Sequence, residues 1–229
     1  MRPLMAWSND NLTGCVSASG VDAVHAAAFA SYTEHGIDPC TRGQAAAHEA
    51  GHVVVGYVYG DTIEGARIWA DHRTGSARWV GANQRDHPFY HRPDPARLAE
   101  EPDRALRAAV CNYAGFAGEI AAGLEHPSSS IDERMKAKAF AAVVAEAWSG
   151  EADQVAITVM ALCVRAIEEN RVAFDTIRAH LYRTRRLTRA EAARMLARVE
   201  RVALPTDRND EAAPASAAPN NTVQELKYT

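Results

Sequence analysis

Two histidines and a glutamate at metal-ligand spacing are the residues of this sequence with the clearest chemistry. His48, Glu49 and His52 form the pattern H-E-x-x-H, and the apolar residues on both sides predict that it lies on a helix. Histidines four residues apart share one helical face, with Cβ atoms about 5–6 Å apart. Both imidazoles can then bind one metal ion at about 2.0–2.1 Å, leaving a third protein ligand to come from elsewhere. Glu49 is placed to take a proton from a metal-bound water.

The alternative is a structural helix that carries two satisfied or solvent-facing histidines and one solvated glutamate. Gly51 lies inside the motif, and a glycine within a helix costs about 1 kcal/mol relative to alanine. Such a residue indicates that another part of the molecule approaches the helix backbone closely. The glycine and the apolar surroundings therefore favour a partly desolvated metal site over the structural alternative.

Length and composition are those of an ordinary globular chain. The 229 residues are 47% apolar and 24% charged, enough for one large domain or two small ones. No run approaches the roughly 18 apolar residues of a membrane span, and the N-terminal residues lack the apolar region of a signal peptide. The four cysteines show no C-x-x-C spacing, which is typical of free thiols in a reducing compartment. We therefore expect a soluble, cytoplasmic protein.

Capping signals and periodicity predict an α+β fold that is mainly α-helical with a small β-hairpin or sheet. Thr41 to Gln44 fits a capping box that opens the motif helix, which we expect to end near Tyr59. Two segments rich in β-forming residues, 63–70 and 77–82, predict the hairpin. Further helices are predicted at 21–32, 103–124, 130–148, 151–170, 172–183 and 188–203.

The same signals divide the chain into three parts. Residues 1–40 are expected to form a partly helical N-terminal arm, and residues 41–204 a single domain. Residues 205–229 are rich in alanine, proline and asparagine, which predicts a disordered tail. The segment 171–201 holds nine arginines and three acidic residues. We interpret it as a solvated helical surface and expect no nucleic-acid partner, because no aromatic interleaving or reader motif accompanies the charge.

The predicted hairpin has an outer edge that is open to two interpretations. It could accept an extended peptide as an added strand, which is a common way to present a backbone to a protease site. Alternatively, it is an edge strand that simply closes a small sheet.

Acidic residues in two later segments are candidates for a role at the motif. Glu119 follows a run of small residues at 114–118 and serves either in a buried ion pair or as support for a histidine. Ser130 to Glu133 fits another capping box. Asp132 would then lie in a first helical turn, where the helix dipole by itself favours a carboxylate.

Three segments resemble the peptidase domain of the FtsH-type ATP-dependent zinc proteases. Residues 47–52 resemble the A-HEAGH start of that family's motif helix, 114–119 its G-R-A-A-E segment, and 130–132 the S-N-D that supplies an aspartate ligand. The intervening hairpin fits the family's order, and the likeness spans about 41–204. Phe116 is a departure, since the family usually has arginine there.

The resemblance implies a role for each matched residue. His48 and His52 would bind zinc with Asp132 as third ligand, and Glu49 would be the general base. Glu133 follows Asp132 directly, so both carboxylates stay candidates, with Asp132 preferred. The sequence contains no G-x-x-x-x-G-K-[ST] motif. We therefore expect an ATP-independent zinc metallopeptidase that cleaves flexible or unfolded protein segments, with or without a separate unfoldase or regulator.

Two other functions are compatible with the same motif. One is a regulatory peptidase that cuts a specific repressor, like the ImmA/IrrE type. The other is a catalytically inactive, metal-stabilised interaction protein on the same scaffold. Metal content, followed by peptide turnover that is sensitive to a chelator, separates these functions from one another and from a purely structural helix. The sequence leaves the oligomeric state open.

Overall fold

The computed structural model describes residues 40–71, 78–86, 101–125 and 130–205. In these ranges the chain forms α1 (Arg42–Val58), β1 (Thr62–Asp71), β2 (Arg78–Asp86), α2 (Pro102–Ala121), α3 (Ile131–Ala147), α4 (Ala152–Glu169), α5 (Arg171–Thr184), β3 (Arg186–Thr188) and α6 (Arg189–Met195). The predicted fold class, mainly helical with a small antiparallel sheet, is confirmed. The predicted arm with its helix at 21–32, and the predicted tail, fall almost entirely outside the described residues.

Helix α1 lies at the centre of the domain. Twelve of its 17 residues are buried, and it packs against α2, α4, α5 and both strands of the hairpin. The predicted capping box fixes its start: the Thr41 hydroxyl accepts the Gln44 N–H at 3.1 Å, and the Gln44 side chain accepts the Thr41 N–H at 2.8 Å. The motif helix therefore lies in the interior of the domain.

Helices α1 and α2 meet backbone to backbone at their glycines. A Cβ added at Gly51 would overlap the carbonyl oxygen of Ala114 and lie 2.9 Å from Gly118 Cα. In the same way, a Cβ at Gly118 would overlap the carbonyl oxygen of Ala47. This crossing explains both the glycine inside the motif and the run of small residues in α2. It places the histidine-bearing face of α1 directly against α2.

The sheet has the order β2-β1-β3 with antiparallel pairing throughout. The predicted hairpin is observed as β1 and β2, with an irregularity in register between Ile63 and Gly65. Strand β3, which the sequence did not predict, pairs with β1 because buried Leu187 opposite Ala66 completes that side of the core.

The last helix begins as predicted and ends early. The Thr188–Glu191 capping box forms, but α6 stops at Met195 instead of continuing to about residue 203. The chain after α6 instead returns to α1, where the Val202 N–H bonds the Val58 carbonyl oxygen at 2.8 Å and Leu204 is buried. Within the described ranges, no helix is both long and apolar enough to cross a bilayer.

Candidate metal centre

Three side-chain donor atoms from α1 and α3 converge beside the crossing of α1 and α2. His48 Nε2 and His52 Nε2 are 3.0 Å apart. Glu133 Oε2 lies 3.1 Å from His48 Nε2 and 3.5 Å from His52 Nε2. Ligands about 2.0–2.1 Å from a tetrahedral zinc ion lie about 3.3 Å from one another. The three atoms therefore already stand at nearly the separations that one metal ion requires.

The chemistry of these donors also fits a metal ion. Glu133 Oε2 is buried against the two imidazole nitrogens, and burial of a carboxylate oxygen is costly unless such partners compensate. Two imidazoles and one carboxylate, with a fourth position open, are the ligand set of several hydrolytic zinc sites. The group His48, His52 and Glu133 could therefore bind a metal ion.

The structure brings Glu133, and not Asp132, to the two histidines. Asp132 is exposed and lies outside the group of convergent donors. Successive residues of a helix point about 100° apart, so only one of the two carboxylates can face α1. The sequence preferred Asp132 as third ligand, whereas the structure brings Glu133, the alternative that the sequence had left open, to the two histidines.

Glu119 supports His48 on the side away from the donor atoms. Its Oε1 lies 2.9 Å from His48 Nδ1, and the residue is only 2% exposed. A carboxylate at Nδ1 favours the tautomer protonated there, which leaves the lone pair of Nε2 for a metal. Of the two roles considered for Glu119, the structure shows the contact with a histidine.

Gly115 of α2 provides the space that the His48 ring occupies. A Cβ at this position would overlap Cε1, Nε2 and Nδ1 of the imidazole. The run of small residues in α2 therefore serves both the helix crossing and the space around the His48 ring.

The predicted capping box at Ser130 does not form. Ser130 is in the left-handed region, with φ 55° and ψ 26°, and its side chain makes no cap hydrogen bond. Its hydroxyl instead donates to Glu119 Oε1 at 2.6 Å and lies 3.0 Å from His48 Nδ1. Ser130 and Glu133, the two ends of the S-x-x-E pattern, both point to the histidines and their support. The box prediction was wrong because Ser130 has a left-handed backbone, and its hydroxyl contacts Glu119 and His48 instead of the first turn of α3.

Glu49 lies next to His48 and beneath the hairpin. The residue is 3% exposed, and a Cβ at Gly81 of β2 would overlap its carboxylate. A glycine inside a strand often marks a close approach of this kind, which is the only signal by which the sequence could have pointed to Gly81. The hairpin thus covers the proposed general base and limits its contact with solvent.

Arg134 places a buried positive charge at the same site. Its side chain is fully buried, with the guanidinium 4.4 Å from the centre of the Phe116 ring. Burial lowers the pKa of Arg134 to about 10, while the charge of Glu119 acts in the opposite direction. Phe116, the departure from the FtsH-type pattern, is therefore covered by an arginine from α3.

The pKa values of the donor groups shift in opposite directions. Burial alone would lower the pKa of His48, but the charge of Glu133, hydrogen bonds with Glu119 and Glu133, and the charge of Glu49 raise it well above 6.5. Burial alone would raise the pKa of Glu133, but His48 and His52 hold it well below its ordinary value. A metal ion that binds here must therefore displace a proton from His48.

Comparison of the chain with protein-family models and with curated proteins found no match. The side-chain geometry and the motif spacing therefore carry the functional interpretation.

Proposed function

We propose that this protein is a zinc metallopeptidase that hydrolyses peptide bonds in flexible or unfolded protein segments without ATP. The observation that carries the proposal is the convergence of His48 Nε2, His52 Nε2 and Glu133 Oε2, and Glu49, which follows His48 in α1, is buried. The resemblance to the FtsH-type peptidase domain supports the same activity. The order of its segments, with a motif helix, a hairpin, a small-residue helix and a ligand-bearing helix, matches the order of α1, β1–β2, α2 and α3.

In this proposal each side chain of the site has one task. His48, His52 and Glu133 hold zinc, and Glu119 keeps the proton of His48 on Nδ1. The chemistry that zinc supplies when bound is that of a Lewis acid, which polarises a carbonyl group and acidifies water. Glu49 accepts the proton of the attacking water on its carboxylate and delivers it to the leaving amine. Its burial beneath β2 restricts competing contact with bulk water.

The edge position of β2 in the sheet favours an extended segment as the substrate. Among the described strands, β2 is at one edge and pairs only with β1, and its Gly81 lies over the Glu49 carboxylate. An extended peptide added to this edge would run next to the proposed general base, and it would bind through its backbone. Only an unfolded or flexible segment can pair in this way. Folded substrates would require a separate unfoldase or regulator.

The Glu49→Gln variant tests the proposed function. We expect zinc content, measured by elemental analysis, to equal that of the wild type, because Glu49 is not among the donor residues. Hydrolysis of unfolded casein should fall by about 10²–10⁴-fold, the usual contribution of a general base. Glu146→Gln, at an exposed position of α3, is the matched control and should retain both zinc and activity. A chelator should abolish wild-type cleavage, and added zinc should restore it.

The other outcomes each support a different conclusion. A wild-type protein without zinc affinity would contradict the metal centre itself. Unchanged cleavage by Glu49→Gln would remove this residue from the mechanism. Zinc binding without cleavage of unfolded substrates would favour the metal-stabilised interaction protein, and cleavage of one defined target alone would favour the regulatory peptidase.

A further inference from the structure

Ser130 connects the helix that carries Glu133 with the helix that carries the histidines. Its Oγ is 2.6 Å from Glu119 Oε1 and 3.0 Å from His48 Nδ1, and these two atoms are 2.9 Å apart. The three polar atoms thus form a closed triangle on the side of the imidazole opposite Nε2. The Ser130 hydroxyl donates its one proton to Glu119 Oε1. The hydrogen that His48 Nδ1 shares with these two oxygens must therefore be carried by Nδ1 itself. The triangle is therefore compatible with only one neutral tautomer of His48.

Ser130 makes this contact from an unfavourable backbone conformation, and its side chain does not cap α3. Its φ of 55° is uncommon for a residue other than glycine, and its hydroxyl caps none of the N–H groups at the start of α3. Strained conformations of this kind persist where surrounding interactions determine them. The interactions here are those with Glu119 and His48. Glu133 lies three residues further along α3, so the conformation at Ser130 also sets the direction of the third donor.

We propose that Ser130 is a positioning residue of the metal centre. Its hydroxyl, bonded to Glu119, fixes the proton of His48 on Nδ1 and anchors the first turn of α3 so that Glu133 faces the histidines. The hydroxyl is not itself a donor atom of the site, and it acts through the three residues that it orients. The inference rests on the metal centre of the proposed function but not on its peptidase chemistry.

Substitution of Ser130 by alanine and by glycine separates the hydroxyl from the backbone conformation. Ser130→Ala removes the hydroxyl and keeps the unfavourable backbone, whereas Ser130→Gly removes the hydroxyl and tolerates φ > 0. Ser149 is the matched control residue. It is exposed, it follows the other end of α3, and its φ is 54°. The same two substitutions at Ser149 change the backbone preference at a comparable conformation far from the site.

Zinc dissociation constants, measured by competition with a chromogenic chelator, give the main result. Both Ser130 variants should bind zinc about 10–100-fold more weakly than the wild type, as expected when support for a ligand is lost. Both Ser149 variants should bind zinc as the wild type does. In long-range ¹H–¹⁵N spectra of the zinc-free proteins at a pH where His48 is neutral, wild-type His48 should show a single Nδ1–H tautomer. Ser130→Ala should show a mixture.

A role for the Ser130 hydroxyl and a purely conformational role predict different zinc affinities for Ser130→Gly. If Ser130 mattered only for its backbone, glycine would restore wild-type zinc affinity, and that result would overturn the proposal. An unchanged dissociation constant in Ser130→Ala would overturn it as well. Melting temperatures in a chelator establish that the variants are folded, and Ser130→Gly should be at least as stable as Ser130→Ala. A wild type that binds zinc but cleaves no substrate would contradict the peptidase while leaving this inference intact.

Discussion

Replacement of Gly115 by alanine tests the packing that determines the position of His48. The added methyl group would overlap three atoms of the imidazole ring. The ring cannot move away without loss, because its Nδ1 contacts Glu119 and its Nε2 belongs to the donor group. Separation of the two helices is also opposed, since α1 and α2 already touch through their backbones at Gly51 and Gly118. The variant must therefore displace the imidazole or strain the helix crossing.

The expected magnitudes differ between stability and zinc affinity. Alanine is favoured over glycine in a helix by about 1 kcal/mol, whereas overpacking costs about 1–3 kcal/mol. The free energy of unfolding of the zinc-free protein should therefore fall by only about 0–2 kcal/mol. Loss of the Glu119 support alone weakens metal binding about 10–100-fold, and a rotated imidazole also leaves the donor group. We expect the zinc dissociation constant of Gly115→Ala to rise by at least about 100-fold.

Two measurements and one control complete the experiment. Zinc affinity is measured by chelator competition, and stability by urea unfolding in the presence of a chelator. Gly43→Ala, in the first turn of α1, is the control, because a Cβ there would lie 3.5 Å from Leu124 Cδ1, an ordinary contact. It should raise stability by up to about 1 kcal/mol without changing zinc affinity. Wild-type zinc affinity in Gly115→Ala would refute the position assigned to His48.

Three further predictions concern the third ligand and the start of α6. Glu133→Gln should abolish tight zinc binding in elemental analysis while Asp132→Asn retains it, and the reverse result would return the ligand role to Asp132. Thr188→Ala removes the cap of α6 and should lower the free energy of unfolding in urea by about 1 kcal/mol; an unchanged midpoint would mean that the cap contributes nothing. The N–H and hydroxyl of Thr188 lower the pKa of Glu191 below 4.5, so its stabilising contribution is present above pH 4.5 and is lost as the pH falls through the lower folded value. The stability difference between wild type and Glu191→Gln should therefore shrink on acidification below pH 4.5, and a constant difference would contradict this.

Local sequence signals were sufficient to predict most of the helices and part of the site. The Thr41 box correctly predicted the start of α1, and the spacing of His48 and His52 placed both imidazoles on one face, because helix geometry relates residues four apart directly. Gly51 correctly indicated a close backbone approach, which α2 makes. These features depend on residues within one or two turns of one another, and a sequence displays such relations without knowledge of the fold.

The tertiary structure alone decided which distant groups complete the site. The sequence left Asp132 and Glu133 as candidates and preferred Asp132, whereas the choice between them depends on the rotation of α3 where it packs against α2. The capping box that the pattern at Ser130 predicted does not form, because the contact with Glu119 directs the Ser130 hydroxyl to a buried carboxylate and away from the first turn of α3. Interactions between residues far apart in the chain leave no fixed spacing in the sequence, so only the packed domain shows them.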